Sequence, residues 1–377
     1  MGDLTRVLRA NGTDMGDYQA RGERLRHLLR KAALEPLLVT APTNVTYLTG
    51  FTGADSYLLV TPHGQIMLSD PRYTTQLEQE CPGLDLEIRR PGSTMLERVV
   101  QVVQRGRFGR LGIEAGSMRV GLFDALGQAL PAVELVRTFE LVERLRVIKD
   151  RDEIGRIRRA AWQARRAFEV IRAGLRPEQS EVRVAADLEH QLRLFGARGA
   201  SFPPIVAAGP RAALPHASPT QALIGAHDFT LVDWGANEGL YVSDLTRILV
   251  VGRISPKLQK IYGVVLRAQA AAIDAIRPGA SAAQVDEAAR RVIARAGYGD
   301  AFAHGLGHGI GLQVHEAPRL ARDQNAALKP GMVVTVEPGI YLPGWGGIRI
   351  EDDVLVTRSG HEVLTAVPKQ LDECVVA

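Results

Sequence analysis

Hydrophobic positions recur along this chain with first a helical and then a two-residue period. Leu25, Leu28, Leu29, Ala32 and Ala33 fall on one helix face, and the segments PLLVTAPTNVTYLTGF and SYLLVTPHGQIMLSD that follow read as strands by their β-branched and aromatic content. Next come RYTTQLEQE as helix, LDLEI as strand, TMLERVVQVVQRG as helix, RLGIEA as strand and VGLFDALGQAL as helix. This alternation predicts a three-layer α/β domain over residues 18–147, preceded by a polar, flexible tail over residues 1–17 in which Met15 is an alternative start. No glycine fingerprint follows the first strand and no phosphate loop occurs, so a nucleotide site is not expected there.

The charged stretch KDRDEI marks a change of character, and a second domain is expected over residues 148–377. It opens with two long amphipathic helices, DEIGRIRRAAWQARRAFEVIRAGL and SEVRVAADLEHQLRLFGARG. A short strand, PPIVAAG, leads through the loop LPHASP into the strand-turn-strand segment FTLVDWGANEGLYVSDLTRILVVG. Another helix pair runs from Pro256 to Ala296, its second member opened by a capping box of Ser281 and Gln284. The glycine-rich segment HGLGHGIGLQVHE and a second hairpin, VVTVEPGIYLPGWGGIRIEDDVLV, follow. Two helices then strands, twice over, predict an α+β domain built as a pseudo-repeat.

Composition narrows the function classes. The chain has 377 residues, 46% of them apolar and 23% charged, as expected of a globular protein with two domains. Its pI of about 9.2 raises the question of nucleic acid, but the net charge is only +4 and the arginines are scattered, so they read as solvated faces. Cys81 and Cys374, far apart, support neither a disulfide framework nor a thiolate metal site. No secretory leader is evident, and no apolar run approaches the roughly eighteen residues that span a bilayer. A cytoplasmic location without membrane or nucleic-acid partners is the expectation.

The acids of the two hairpins carry the chemistry. Glu337 and Glu351 are symmetric about Gly344 and are expected to face one another; Asp233 and Asp244 are expected to be similarly placed about Glu238 and Gly239. Two hairpins side by side would bring four carboxylates together. Without counter-charge such a group would largely protonate, and divalent cations cancel the charge. Asp233 and Glu351 lie in apolar strand sequence, where an unpaired charge is expensive. In the segment from His304 to His315 every second residue is glycine as far as Gly311, which predicts a strand with one bare face and with His304, Leu306, His308, Ile310 and Leu312 on the other. One imidazole among four carboxylates suits Mn(II), Co(II), Fe(II) or Zn(II). A pair of such ions supports amide hydrolysis.

Taken together, PHASP, VDWGANEGLYVSDLTR, HGLGHGIGLQVHE, EPGIY and GIRIEDDVLV resemble the pita-bread metallopeptidase family, in the branch of Xaa-Pro dipeptidase (prolidase) and aminopeptidase P. The resemblance spans residues 18–377 and implies a creatinase/prolidase-type α/β N-terminal domain followed by a pita-bread catalytic domain. It implies two divalent metal ions per subunit, Mn(II) before Co(II) or Zn(II), with Asp233 on one ion, His308 and Glu337 on the other, and Asp244 and Glu351 bridging both. His216 and His315 match positions that bind substrate or steady the tetrahedral intermediate, and His304 matches a further pocket histidine. Tyr341 and Arg349 match supporting or substrate-contacting positions, Arg319 in HEAPR resembles an arginine that holds a proline carboxylate, and Thr246 is expected to support Asp244. Glu351 is the expected proton carrier.

The implied reaction is hydrolysis of the bond preceding proline in small proline-containing peptides by a homodimer, with dipeptides favoured by HEAPR. Release of the N-terminal residue from Xaa-Pro-Yaa peptides is the alternative. The full ligand set argues against a metal-free creatinase-type enzyme and against a non-catalytic binding module on the same fold. One departure from the pattern is the lack of an Asp or Glu beside Phe202 to hold the substrate's amino end.

Overall fold

The computed structural model describes residues 17–34 and 36–376, so nearly all of the expected tail lies outside the described residues. Two compact units emerge, one through Arg146 and the other from Val147. In the first, helix α1 (Tyr18–Lys31) is followed by β1 (Leu37–Val39), α2 (Pro42–Thr49), β2 (Tyr57–Val60), β3 (Gln65–Ser69), α3 (Thr74–Glu80), β4 (Asp85–Ile88), α4 (Met95–Arg105), β5 (Arg110–Glu114), α5 (Val120–Ala129), β6 (Glu134–Thr138) and α6 (Glu143–Arg146). The strands form one mixed sheet in the order β4-β3-β2-β1-β5-β6. Leu37, Leu38 and Val39 are consecutive and all fully buried, so both sheet faces are covered; Leu38, Leu59 and Leu111 pack against Val99 and Val103 of α4 and Leu126 of α5.

Two elements of this unit differ from expectation. PLLVTAPTNVTYLTGF is not one extended segment: it divides into β1 and α2. Pro42 begins α2 where a missing N–H costs nothing, and Gly50 ends it at φ +80°. Burial of Val45, Tyr47, Leu48 and their neighbours overrides their β-propensity. Strand β6, parallel to β5, was not foreseen, because ELVRT is short and only its last residue is buried.

The second unit opens with α7 (Arg151–Gly174) and α8 (Glu181–Leu194), then β7 (Gly199–Ala200), β8 (Ile205–Ala208), β9 (Phe229–Trp234), β10 (Ala236–Glu238), β11 (Tyr241–Val242) and β12 (Leu245–Val250). Its other half repeats the plan: α9 (Pro256–Ala275) and α10 (Ala282–Arg295), the latter opened by the Ser281/Gln284 capping box. Then follow β13 (Gly307–Gly309), β14 (Glu316–Leu320), β15 (Val333–Val336), β16 (Gly339–Leu342), β17 (Gly346–Arg349), β18 (Asp352–Val356) and β19 (His361–Val363). The sheets run β12-β9-β8, β11-β10-β7, β14-β13-β15-β18-β19 and β16-β17.

Side-chain alternation along β9 and β12 divides the core in two. Val232, Trp234, Leu245 and Leu249 join the residues of α7 and α8, whereas Phe229, Leu231, Ile248 and Val250 join those of α9, α10 and the second half. Trp234 fixes the end of β9 by stacking on Phe168 at 4.2 Å and donating its indole N–H to the Ala164 carbonyl at 3.0 Å. Asp233, one residue earlier, therefore points the other way, toward the second half. Among the described residues no helix is long and apolar enough to cross a membrane. Both cysteines are free and buried.

Candidate metal centre

Each hairpin is interrupted where its acids lie. In the second, the ladders β15–β18 and β16–β17 are both centred on Gly344, at φ +80°, and they break at Glu337-Pro338 and at Ile350-Glu351. Proline donates no N–H, so the ladder cannot run through it. One register thus persists across the gap and sets Glu337 and Glu351 opposite each other.

The first hairpin is centred differently from expectation. Glu238 pairs with Tyr241, and the turn is Gly239-Leu240, both with positive φ, +55° and +73°. Two central residues of positive φ match the right-handed twist of the flanking strands. The register therefore pairs Asp233 with Thr246 rather than with Asp244. Asp244 lies in the break before β12, where a side chain on Gly235 would collide with the Ser243 carbonyl.

Cross-links between the hairpins then close the site. Thr246 donates from Oγ1 to Glu351 Oε2 at 2.6 Å, so it supports Glu351 rather than Asp244. Asp244 is held instead through its backbone N–H, which donates to Asp353 Oδ2 at 3.0 Å. Arg349, buried, donates to Asp233 Oδ2 at 2.5 Å, to the Tyr341 hydroxyl at 2.9 Å and to Thr246 Oγ1 at 3.0 Å. The guanidinium reaches the Pro215 carbonyl as well, tying down the loop that carries His216.

His308 projects from β13, which keeps strand geometry for only three residues because a bulge falls between His308 and Gly309; the expected longer strand from His304 to Leu312 does not form. The glycines serve close approach: a Cβ on Gly307 or Gly309 would strike the Thr335 or Ala317 carbonyl. His308 Nε2 lies 3.3 Å from Glu337 Oε1 and 3.8 Å from Asp244 Oδ2. Asp244, His308 and Glu351 each place a ligating atom within 4.8 Å of the others. His304 Nε2 meets the Tyr341 hydroxyl at 3.0 Å. His315 packs ring to ring on His308 at 4.3 Å, and His216 is close enough to influence its charge. His315, His216 and Arg319 are exposed, and Arg319 makes no ion pair among the described residues.

The electrostatics show what this set lacks. Burial, reinforced by neighbouring carboxylates, raises Asp244 and Glu351 far above the usual carboxylate range. Burial also raises Asp233 against the pull of Arg349. Burial pushes Glu337 up and His308 down, but their mutual hydrogen bond and charge attraction, with other neighbouring charges, together prevail, so Glu337 moves down and His308 up. Burial lowers His304; His315, open to solvent on one side, is lowered by partial cover of its ring and by the neighbouring His308, so both favour the neutral imidazole at neutral pH. Asp233 Oδ1, Asp244 Oδ1 and Asp353 Oδ1 are buried with no hydrogen-bond partner. Unpartnered acid oxygens around an imidazole are what a divalent cation would satisfy, and the donor set fits a hard metal ion.

Three residues around the site were missed in the sequence. Asp353 holds Asp244. Arg247, buried on β12, carries a charge inside the apolar run LTRILV, which was its signal. Glu181, also buried, accepts from Ala208 N, Arg211 Nε and Thr220 N and so anchors both ends of the loop bearing His216; it lies at a helix start, where an acid attracts no notice.

A buried cluster of acids and an imidazole fit for a divalent cation, on a duplicated α+β scaffold, defines a class, and comparison with known proteins gives it a family. The chain belongs to metallopeptidase family M24, whose profile matches residues 155–358, and residues 21–148 match the creatinase/prolidase N-terminal domain. The protein is a metallopeptidase of pita-bread fold, and its family implies divalent metal ions. A solved Xaa-Pro dipeptidase from Bacillus anthracis superposes with a TM-score of 0.90 at 38% identity, covering 94% of this chain and 99% of that one. An X-Pro aminopeptidase from Thermotoga maritima gives 0.87 at 32%, covering 94% and 99%. The Xaa-Pro dipeptidase of Pyrococcus furiosus is 33% identical over 93% of this chain and 98% of its own length.

Proposed function

We propose that this protein hydrolyses the bond preceding proline in Xaa-Pro dipeptides, with Asp233, Asp244, His308, Glu337 and Glu351 holding two divalent metal ions. The observation that carries the reading is the meeting of Asp244 and Glu351, buried acids from the two hairpins, with His308, beside the partnerless buried oxygens of Asp233 and Asp244. Asp233, Asp244, His308, Glu337 and Glu351 would hold the ions between them, and this oxygen-rich set would favour Mn(II). Bound there, such ions supply a water activated near neutral pH and a polarised carbonyl.

The remaining chemistry belongs to the chain. Glu351, oriented by Thr246, takes the proton of the attacking water and passes it toward the proline nitrogen. His315 and His216 lie at the open side of the site and donate hydrogen bonds to the developing oxyanion, His315 as a neutral imidazole. His304 and Tyr341 form the pocket wall. Arg349 holds Asp233 and the Pro215 carbonyl, and acts on substrate through them. Arg319, exposed and unpaired, is free to receive the proline carboxylate. The working form we propose is a cytoplasmic homodimer.

Turnover of an Xaa-Pro dipeptide and the matching Xaa-Pro-Yaa tripeptide, measured side by side with Mn(II), tests the substrate. We expect the dipeptide to be preferred, and Arg319→Ala to raise its KM while leaving the tripeptide's unchanged. Equal turnover of both peptides would assign the aminopeptidase reaction, which the resemblance to the Thermotoga enzyme also accommodates.

A further inference from the structure

Behind the carboxylates, on the side away from His308, lies a second buried charge cluster. Arg247 uses all five of its N–H groups. Nη1 donates to the Glu351 carbonyl at 2.6 Å and the Thr246 carbonyl at 2.9 Å, and Nη2 to Asp352 Oδ1 at 2.7 Å. The other two reach the carbonyls of Val367 and Pro368, in the irregular C-terminal segment. Asp352 is the hub: its second oxygen accepts from Lys369 Nζ at 2.6 Å and from Gln269 Nε2 at 3.1 Å. Gln269 in turn donates to the Val336 carbonyl, one residue before Glu337, and accepts from Lys369. Thr365 closes the cluster by donating to Asp352 Oδ1 and receiving the Asp353 N–H.

A segment without regular structure reaches, through one aspartate, the backbone on both strands of the second hairpin where Glu337 and Glu351 project. Two cations against one carboxylate also leave a net positive charge directly behind the acids. We propose that the C-terminal segment Thr365–Lys369 is a latch that positions Glu337 and Glu351 for metal binding, with Lys369 as its closing residue. The inference rests on the ligand assignment above. Lys369 touches neither metal nor substrate, so it is a positioning residue; its ammonium holds Asp352 and Gln269 in the one arrangement that fixes both ligand backbones. Groups that orient metal ligands typically contribute about 10- to 100-fold in metal affinity.

Calorimetric titration of chelator-treated full-length protein with Mn(II) tests this. Lys369→Met should weaken Mn(II) binding by roughly tenfold or more, with the melting temperature of the metal-free protein close to that of the parent. Lys369→Arg, which keeps a cation within reach of Asp352, should restore most of the affinity. In steady-state assays at fixed Mn(II), kcat should fall further than KM rises. Unchanged Mn(II) affinity in Lys369→Met, or a lowered melting temperature as its only effect, would overturn the latch. Should Lys369→Met fail to fold, Thr365→Val removes two bonds of the same cluster, to Asp352 Oδ1 and from the Asp353 N–H, with little change in volume, and it must weaken Mn(II) in the same direction. Glu351→Ala is the control for the ligand assignment: parental Mn(II) affinity and stoichiometry in that variant would defeat the assignment and the latch with it, whereas weakened binding there with normal binding in Lys369→Met would defeat the latch alone.

Discussion

Both units bury carboxylates, but among the described residues only the second leaves some of their oxygens without a partner. In the first, Glu114 is covered at the start of α2 and accepts from Thr40 N at 2.6 Å, Ala41 N at 2.8 Å and Asn44 Nδ2 at 2.7 Å, with the Thr40 and Ser117 hydroxyls nearby. Every oxygen is used. In the second, Asp233, Asp244 and Asp353 each leave one buried oxygen with no partner, and the charges around Asp244 are mostly those of other acids. A buried acid is thus no sign of chemistry by itself; a buried acid that the fold leaves unsatisfied is, because that arrangement costs free energy unless something else binds.

The largest effect that could break this contrast is on catalysis. Asp244→Ala and Glu351→Ala should each reduce proline-specific peptidase activity to background while the far-ultraviolet circular dichroism stays that of the folded chain. Normal turnover by either variant would leave the second unit's acids as no more functional than Glu114.

A smaller effect concerns pH. In metal-free protein Asp244, Glu351 and Asp233 are raised above their unfolded values and Asp353 is pushed up to about 8, chiefly by burial. For an acid whose folded pKa is raised, the native state holds the proton that the unfolded chain releases, so the stability is present at low pH and is lost as pH rises through the folded value. The melting temperature of chelated protein should therefore fall between about pH 5 and pH 8, a window above the acids that titrate lower, such as Glu337. Restoring metal should flatten or reverse the slope, since the bound form needs the ligands deprotonated. A melting temperature of chelated protein that is level or rising across that window would contradict the picture.

The smallest effect sharpens the other side. Glu114→Gln turns an acceptor into a partial donor facing the Thr40 and Ala41 N–H groups, and should cost about 1–3 kcal/mol in urea unfolding. Activity per folded molecule should be unchanged. A loss of peptidase activity beyond the unfolded fraction would mean that the first unit's acid is not merely structural.

How much of this was legible depended on range. The capped helices, the apolar strands and the doubled order of helix pair then hairpin could be read because each is set by residues close in sequence. Symmetry about Gly344 gave the facing of Glu337 and Glu351 because a single turn residue at positive φ fixes that hairpin. The same reasoning misplaced Asp233 and Asp244, since the turn falls on Gly239-Leu240 and a leucine at positive φ has no sequence signature. It also missed α2, where burial outweighs β-propensity, and it gave Thr246 the wrong carboxylate, because Thr246 reaches across to the other hairpin.

By itself, then, the sequence determined which residue types were available for chemistry, on which local elements they lay, and to which family the motifs belong, since these follow from period, spacing and turn residues within a few positions. Only the tertiary structure decided that Arg349 is committed to Asp233, that Thr246 and Asp353 orient acids more than a hundred residues away, and that Lys369 reaches the backs of Glu337 and Glu351 through Asp352. Those assignments depend on which side chain is nearest once two hairpins, two helix pairs and a C-terminal segment have packed, and no local pattern encodes a distance between elements that meet only in the fold.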